Sequence, residues 1–453
     1  MGQDDRRLQR RRRGLTVIAT GSAGWSCAVC GTHVDIAAPL VWRCPRANDS
    51  DPHHALQLVQ GIAPLRGNDD VNPFLAFRPY LAWDSFAAAN GMTEVARTAM
   101  IRQVDVDIAR VAGTGFHSTP FDRADALSHA LGFTEDGGVW VKDETGNVAG
   151  SHKARHLVTI LLHLLTAESL GLSPWTAAAD RPTLAIASCG NAAYAAATLA
   201  AAVSWPLRVF VPPHADPVVI AGLRQLEAEI VECPRREAEP AGDPCMHRFR
   251  EAVTAGAIPF TVQGTENVWC LDGGRTIGWE MAQQFDENVV GPPLDRLFVQ
   301  VGAGTLAASA INGFRMSGFR PRLHAVQTES CAPLQRAYAK VQAVGGAKAA
   351  AAHWNECMWP WEHVGNSAAD GILDDETYDW IPVVQAMSEG HGGPIVVTET
   401  QVHDAIELGR ATTGINASPT GTAGLAGLLA VRETIDKDER VAVIFSGVGR
   451  AER

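Results

Sequence analysis

Val139-Trp-Val-Lys-Asp-Glu-Thr-Gly-Asn-Val-Ala-Gly-Ser-His-Lys153-Ala-Arg-His-Leu-Val-Thr-Ile-Leu-Leu162 changes character halfway along its length. Val139-Trp-Val141 is a short apolar run that reads as a buried strand, and the run from His156 onward starts a helical pattern. Between them a small-residue turn ends at Lys153, which therefore stands near the start of a helix. A lysine there meets the positive end of the helix dipole, which disfavours its charged form. A partly neutral amine suits a Schiff-base lysine. A surface lysine at a helix start is the other reading these residues leave open.

The same strand–loop–helix pattern recurs. Thr183-Leu-Ala-Ile-Ala187 leads into Ser188-Cys-Gly-Asn191-Ala192, and Leu297-Phe-Val-Gln-Val301 into Gly302-Ala-Gly-Thr305. Leu207–Val211, Leu323–Val326 and Val441–Phe445 are further apolar runs, the last followed by Ser446-Gly-Val-Gly-Arg450. Strands alternating with helix-length segments imply parallel sheets covered on both faces. In such sheets ligands bind at the loops off the carboxyl ends of the strands. The loop after Ala187 offers backbone N–H groups to a carboxylate or phosphate, or is an ordinary helix cap. Gly302–Thr305 reads as a phosphate cradle. With Leu306, Ala307 and the later Glu329 it also loosely matches a dinucleotide fingerprint, the basis of an alternative reading as a nicotinamide-dependent dehydrogenase. Ser446 either shares a hydrogen bond with a ring nitrogen or sits in a solvated turn.

The rest of the chain sets bounds. Its 453 residues suffice for two or three domains, and 46% hydrophobic with 19% charged residues excludes a mostly disordered protein. The formal charge of -12 leaves an acidic body, which argues against nucleic acid as a partner. Residues 1–20, with six arginines before Gly14, are expected to form a basic, disordered head. The stretch after it is too short and polar for a signal sequence, and no apolar run is long enough to span a membrane. Ala192 to Leu207 comes nearest, and reads as a buried helix ending close to Pro206. Nine cysteines without a secretion signal point to a reducing, cytoplasmic protein with free thiols. The turn-rich segment from Gly345 to Gly371 reads as a long surface excursion.

Taken together and in this order, the four loops resemble those of the fold-type II pyridoxal phosphate enzymes. These include threonine synthase, the threonine and serine dehydratases and the tryptophan synthase β chain. The resemblance covers roughly residues 110–450, and Asp272-Gly-Gly-Arg-Thr-Ile-Gly-Trp-Glu280 adds a segment similar to threonine synthase-like members. It implies an α/β fold of two parallel-sheet, three-layer domains: a core over 111–453 whose smaller subdomain runs from about 155 to 265, after an extension over 21–110. It implies pyridoxal 5'-phosphate held by Lys153, which also acts as base at the substrate Cα. Asn191 would meet the ring hydroxyl, and Ser446 the pyridine nitrogen. Gly302, Ala303, Gly304 and Thr305 would cradle the phosphate, while Ser188, Cys189, Gly190 and Ala192 would hold the substrate carboxylate. A neutral serine at the ring nitrogen favours β/γ-elimination or replacement on a small amino acid over transamination. The expected protein is a threonine synthase-like lyase and a homodimer.

Two departures matter. Threonine synthases usually carry Phe before the lysine and Asp after it, where this chain has His152 and Ala154, and no second phosphate site is evident. His152 is then an extra acid/base group or a packed ring, and a catalytically silent, regulatory homologue stays open. Cys27-Ala-Val-Cys30 with Cys44 resembles the zinc-ribbon head of some threonine synthases. Such thiolates suit tetrahedral zinc at about 2.3 Å. The usual fourth cysteine is missing, so either His54 or His53 completes a Cys₃His set, or the ribbon has lost its metal.

Overall fold

The computed structural model describes residues 21–48, 50–61, 65–289 and 291–450. The basic head expected over 1–20 lies outside them. Near the N-terminus β1 (Ser22–Cys27), β2 (His33–Asp35) and β3 (Leu56–Gln60) form an antiparallel sheet in the order β2-β1-β3. After β4 (Phe121–Arg123) and β5 (Gly138–Asp143) come β6 (Leu184–Ala187), β7 (Leu207–Val211), β8 (Glu229–Glu232) and β9 (Ile258–Pro259). The chain closes with β10 (Arg296–Gln300), β11 (Arg322–Thr328), β12 (Gly393–Val397) and β13 (Arg440–Phe445). One sheet is ordered β8-β7-β6-β9 and wholly parallel. The other, β12-β11-β10-β13-β5-β4, is parallel except for its antiparallel edge strand β4. The architecture is therefore α/β, with one parallel and one mixed sheet.

The apolar runs become strands because both of their faces are buried. In β13, Ala442 and Ile444 join the core formed with Ile277, Phe314 and Trp380, while Val441, Val443 and Phe445 join that of Leu425 and Leu428. The smaller sheet repeats this: Leu184 and Ile186 face helix Asn191–Ala202, and Ala185 and Ala187 face helix Pro244–Thr254. Edge strands β8 and β4 lack such runs. Gly-Pro-Ile-Val-Val in β12 carries a proline, which an edge tolerates.

Ala192 to Leu207 resolves into helix Asn191–Ala202 followed by β7. Among the described residues no helix is long and apolar enough to cross a membrane. The segment Gly345–Gly371 differs from its expected surface course. It contains short helical turns that bury Ala350, Ala351, Trp354, Cys357 and Met358, with Trp354 edge-on to Trp380 at 5.3 Å. Its apolar residues are spaced too irregularly for the eye to read a buried face.

Helix Cys270–Asn288 ties the two halves together. A Cβ on its Gly273 would lie 1.8 Å from the Arg155 carbonyl oxygen, and one on Gly278 would lie 2.2 Å from that of Ala310. Its backbone thus touches both helix Lys153–Ser169 and helix Thr305–Met316, which only glycine permits. A buried ion network reinforces the contact. Arg155 bonds Glu144 (Nε–Oε2 2.9 Å) and Glu280 (Nη1–Oε1 2.5 Å), and Lys142 Nζ bonds Glu280 Oε2 at 2.6 Å. Two cations meet two carboxylates, so the buried charge sums to zero.

Candidate active site

Lys153 opens its helix at the end of a tightly folded loop. Ala149 and Gly150 take left-handed conformations (φ 57° and 71°). Ser151 pairs with Gly447, and the Val448 amide donates to the Gly150 carbonyl at 2.9 Å. The lysine loop is therefore zipped to the chain that leaves β13. His152 completes the seam with its backbone N–H and its ring Nδ1, both 3.0 Å from the Ser446 carbonyl oxygen. A carbonyl only accepts, so this contact assigns the ring proton to Nδ1. Burial and the nearby Lys153 charge hold the imidazole well below its ordinary range, so the ring is neutral. It also lies edge-on to His156 at 5.4 Å, a packed and bonded ring.

The Lys153 side chain is half-buried, and among the described residues its amine has no hydrogen-bond or ion-pair partner. Burial lowers its pKa, against the opposing charge of Asp374. Desolvation thus favours the neutral amine.

Asn191 and Ser446 lie around the same seam. A Cβ on Gly447 would sit 2.8 Å from Asn191 Nδ2, so the amide packs directly on this backbone. Asn191 Oδ1 accepts from Arg450 Nε at 2.9 Å, which leaves Nδ2 to donate elsewhere. Ser446 is buried and its Oγ accepts from Gln300 Nε2 at 2.6 Å, so its own hydrogen can be donated to a ring nitrogen. Arg450 and Gln300 were not marked by the sequence. Arg450 follows the serine loop, but its bond to Asn191 joins opposite parts of the chain.

Gly302–Thr305 lies beyond β10. A Cβ on Gly302 would be 2.1 Å from Asp374 Oδ2, and one on Gly304 (φ 94°) would be 2.9 Å from the Thr377 methyl. Neither glycine thus has room for a side chain, and the loop presents backbone at a helix N-terminus, which fits a phosphate. The Thr305 hydroxyl faces the Val262 carbonyl oxygen and Asp379 Oδ2, the latter at 2.6 Å. Its hydrogen therefore goes to protein, and backbone amides are left as the anion donors.

In the Ser188–Ala192 loop the Ser188 amide is spent on the Phe210 carbonyl and that of Gly190 on Ser188 Oγ. The amides of Asn191 and Ala192 open a helix and have no partner within it. Cys189 is half-buried, and burial together with Asp370, Asp243 and Asp374 pushes its thiol up to about 11. Glu329, the residue behind the dinucleotide reading, is exposed at the end of β11.

Away from this site, one ligand atom each from Cys27, Cys30, Cys44 and His54 lie within 4.8 Å of one another. Cys27 Sγ is 3.3 Å from His54 Nδ1, and Cys30 Sγ is 3.6 Å from Cys44 Sγ. Ligands about 2.3 Å from a tetrahedral centre stand about 3.8 Å apart, so the set fits zinc. His54 Nε2 meets Asp51 Oδ2 at 3.2 Å, which turns Nδ1 toward the thiols. His53 instead stacks on Trp354 at 5.2 Å and is no part of the cluster.

The fold and the family have relatives among known proteins. The pattern of the family described as pyridoxal-phosphate dependent enzyme matches residues 114–447. A threonine synthase of Methanosarcina acetivorans is 25% identical over 359 residues, 73% of this chain and 74% of that protein. Maize serine racemase shares the fold, with TM-score 0.57 and 17% identity over 78% of this chain and 94% of that one. Diaminopropionate ammonia lyase from Escherichia coli gives TM-score 0.59 and 16% identity over 78% and 88%.

Proposed function

The chain belongs to the pyridoxal-phosphate dependent enzyme family, and on that premise we propose that it catalyses β/γ-elimination or replacement on a small amino acid as a threonine synthase-like lyase. The observation that carries this reading is the Lys153 amine, desolvated, without a partner among the described residues, on the helix that opens beside the Ser446 seam. Lys153 would hold the cofactor, and Asn191 Nδ2 would donate to its ring oxygen. The Gly302–Thr305 loop would hold the phosphate through the amides of Gly302, Gly304 and Thr305, with the Ala303 amide turned to Asp374. Bound pyridoxal phosphate supplies an electron sink for charge developing at the substrate Cα.

Around it, the chain's own residues would do the following. The Asn191 and Ala192 amides, beside Ser188, Cys189 and Gly190, bind the substrate carboxylate and so orient the Cα–H bond. Lys153 Nζ, whose neutral form burial favours, takes the Cα proton. Ser446 donates a single uncharged hydrogen bond at the ring nitrogen, which supports prompt loss of a β or γ leaving group over reprotonation. A structural zinc on Cys27, Cys30, Cys44 and His54, a homodimer and a cytoplasmic setting belong to the same proposal.

The purified protein should be yellow, with an absorbance band at roughly 410–430 nm. Borohydride reduction and peptide mapping should label Lys153, and keto acid and ammonia should appear with one of serine, threonine, their O-phospho or O-acetyl esters, or diaminopropionate. A colourless protein that takes up no added cofactor would overturn the reading. Cofactor binding without turnover of any of these would favour the regulatory homologue.

A further inference from the structure

We propose that Asp374 is a second catalytic residue of this site: the general acid that protonates a hydroxyl leaving group on the β or γ carbon of the substrate. This rests on the assignment of Lys153 as the base.

Elimination of hydroxide needs an acid as well as a base, because hydroxide departs poorly without a proton. The segment after residue 370 supplies one. It is held rigidly: the Cys331 thiol donates to the Asp374 carbonyl at 3.1 Å, and the Gly371 amide donates to Thr420 Oγ1 at 3.0 Å. The Asp379 amide donates to the Ala303 carbonyl at 2.8 Å, so the segment is laced to the glycine loop itself. These ties place Asp374 Oδ2 against Gly302, at the position a side chain there would fill. The Ala303 amide donates to the same carboxylate.

Asp374 and Lys153 act on each other electrostatically across the site, yet no ion pair joins them among the described residues. An acid and a base in direct contact would satisfy each other. Both side chains are half-buried, and no ion pair closes one on the other. Their environments displace them in opposite directions. Burial lowers the lysine and pushes Asp374 up to about 7, aided by Asp375 and Asp243 and opposed by the Lys153 charge. Oppositely displaced groups mark an acid and a base. Nearby alternatives are engaged or unsuited. Asp379 is bonded to Thr305 and the Gly264 amide, and the Cys189 thiol is pushed to about 11.

In the step proposed for serine, Lys153 Nζ takes the Cα proton and the C–H electron pair becomes the Cα–Cβ double bond. The Cβ–O bond breaks with its electrons on oxygen, which takes the Asp374 proton and leaves as water. The freed enamine takes up water to give keto acid and ammonia, with no change of redox state. The Lys153 and Asp374 protons then return to their starting places through solvent.

The test compares wild-type holoenzyme with Asp374→Asn and Asp374→Glu on serine, threonine and β-chloroalanine, whose chloride departs without a proton. Asp374→Asn should lower kcat/KM for the hydroxyl substrates by about 10²- to 10⁴-fold and for β-chloroalanine by less than about tenfold. Asp374→Glu should restore part of the loss. Cofactor absorbance and borohydride labelling of Lys153 should be the same in all three proteins. Equal losses on both substrate types, no loss on either, or no turnover of a hydroxy amino acid by wild type would overturn the proposal. Tighter cofactor binding by Asp374→Asn with unaltered leaving-group dependence would also overturn it, making Asp374 a mere occupant of the phosphate cradle. Failure of the wild type to label at Lys153 would sink the reading of the base, and this inference with it.

Discussion

His152 is tied twice to Ser446: its backbone N–H and its ring Nδ1 both lie 3.0 Å from the same carbonyl oxygen. The residue before the candidate lysine thus grips the residue that would meet the ring nitrogen. His152→Phe, the residue usual in threonine synthases, should cost about 1 kcal/mol through loss of the ring bond. His152→Asn, whose amide can donate from nearly the same place, should stay closer to wild type. Urea midpoints of the three proteins check both expectations.

Gly273 lies where two helices meet backbone to backbone. Gly273→Ala would push a methyl to 1.8 Å from the Arg155 carbonyl, so the helix carrying Lys153 must shift. The expected cost is roughly 3 kcal/mol or more, beyond the usual 1–3 kcal/mol of overpacking, because backbone yields less than a side chain. Thermal midpoints and the yield of soluble protein would report it, and a neutral substitution would show the packing to be looser.

The thiol cluster predicts a metal content. Metal analysis of wild type should find about one zinc per chain, lost in Cys30→Ser and His54→Ala and kept in His53→Ala. Asp51→Asn should weaken binding by about 10- to 100-fold, because the carboxylate orients His54. A competition titration with a coloured chelator measures both. Zinc retained in His54→Ala would remove His54 from the ligand set.

Glu376 carries a pH signature. Burial pushes its pKa up to about 7, with Asp375 adding to the shift and Arg250 and Arg336 opposing it. A carboxyl raised in the folded state stabilises it below the unfolded pKa, about 4.3, and loses that contribution as pH rises through about 7. Glu376→Gln cannot ionise. It should therefore gain stability relative to wild type between pH 5 and pH 8, on the order of 2 kcal/mol. Urea denaturation at the two pH values checks the sign.

The strands β5, β6, β7, β10, β11 and β13 were legible because each is dominated by apolar residues, as burial on both faces requires. The loops at Lys153, Asn191, Gly302 and Ser446 were legible because glycines and small polar residues follow those runs. Edge strand β8 and the buried turns within Gly345–Gly371 left no such mark. Asp374 reads as one acid among several in Leu373-Asp-Asp-Glu-Thr-Tyr-Asp379, and Arg450 as a terminal charge. Likewise, His53 and His54 are adjacent and chemically identical in the sequence. Local pattern determined the elements and the loops, because periodicity and glycine act over a few residues. Which acid faces Lys153, which histidine joins the thiols and which amide meets Arg450 were decided only by the tertiary structure. Charge, burial and hydrogen bonding there depend on neighbours from distant parts of the chain, which no local pattern encodes.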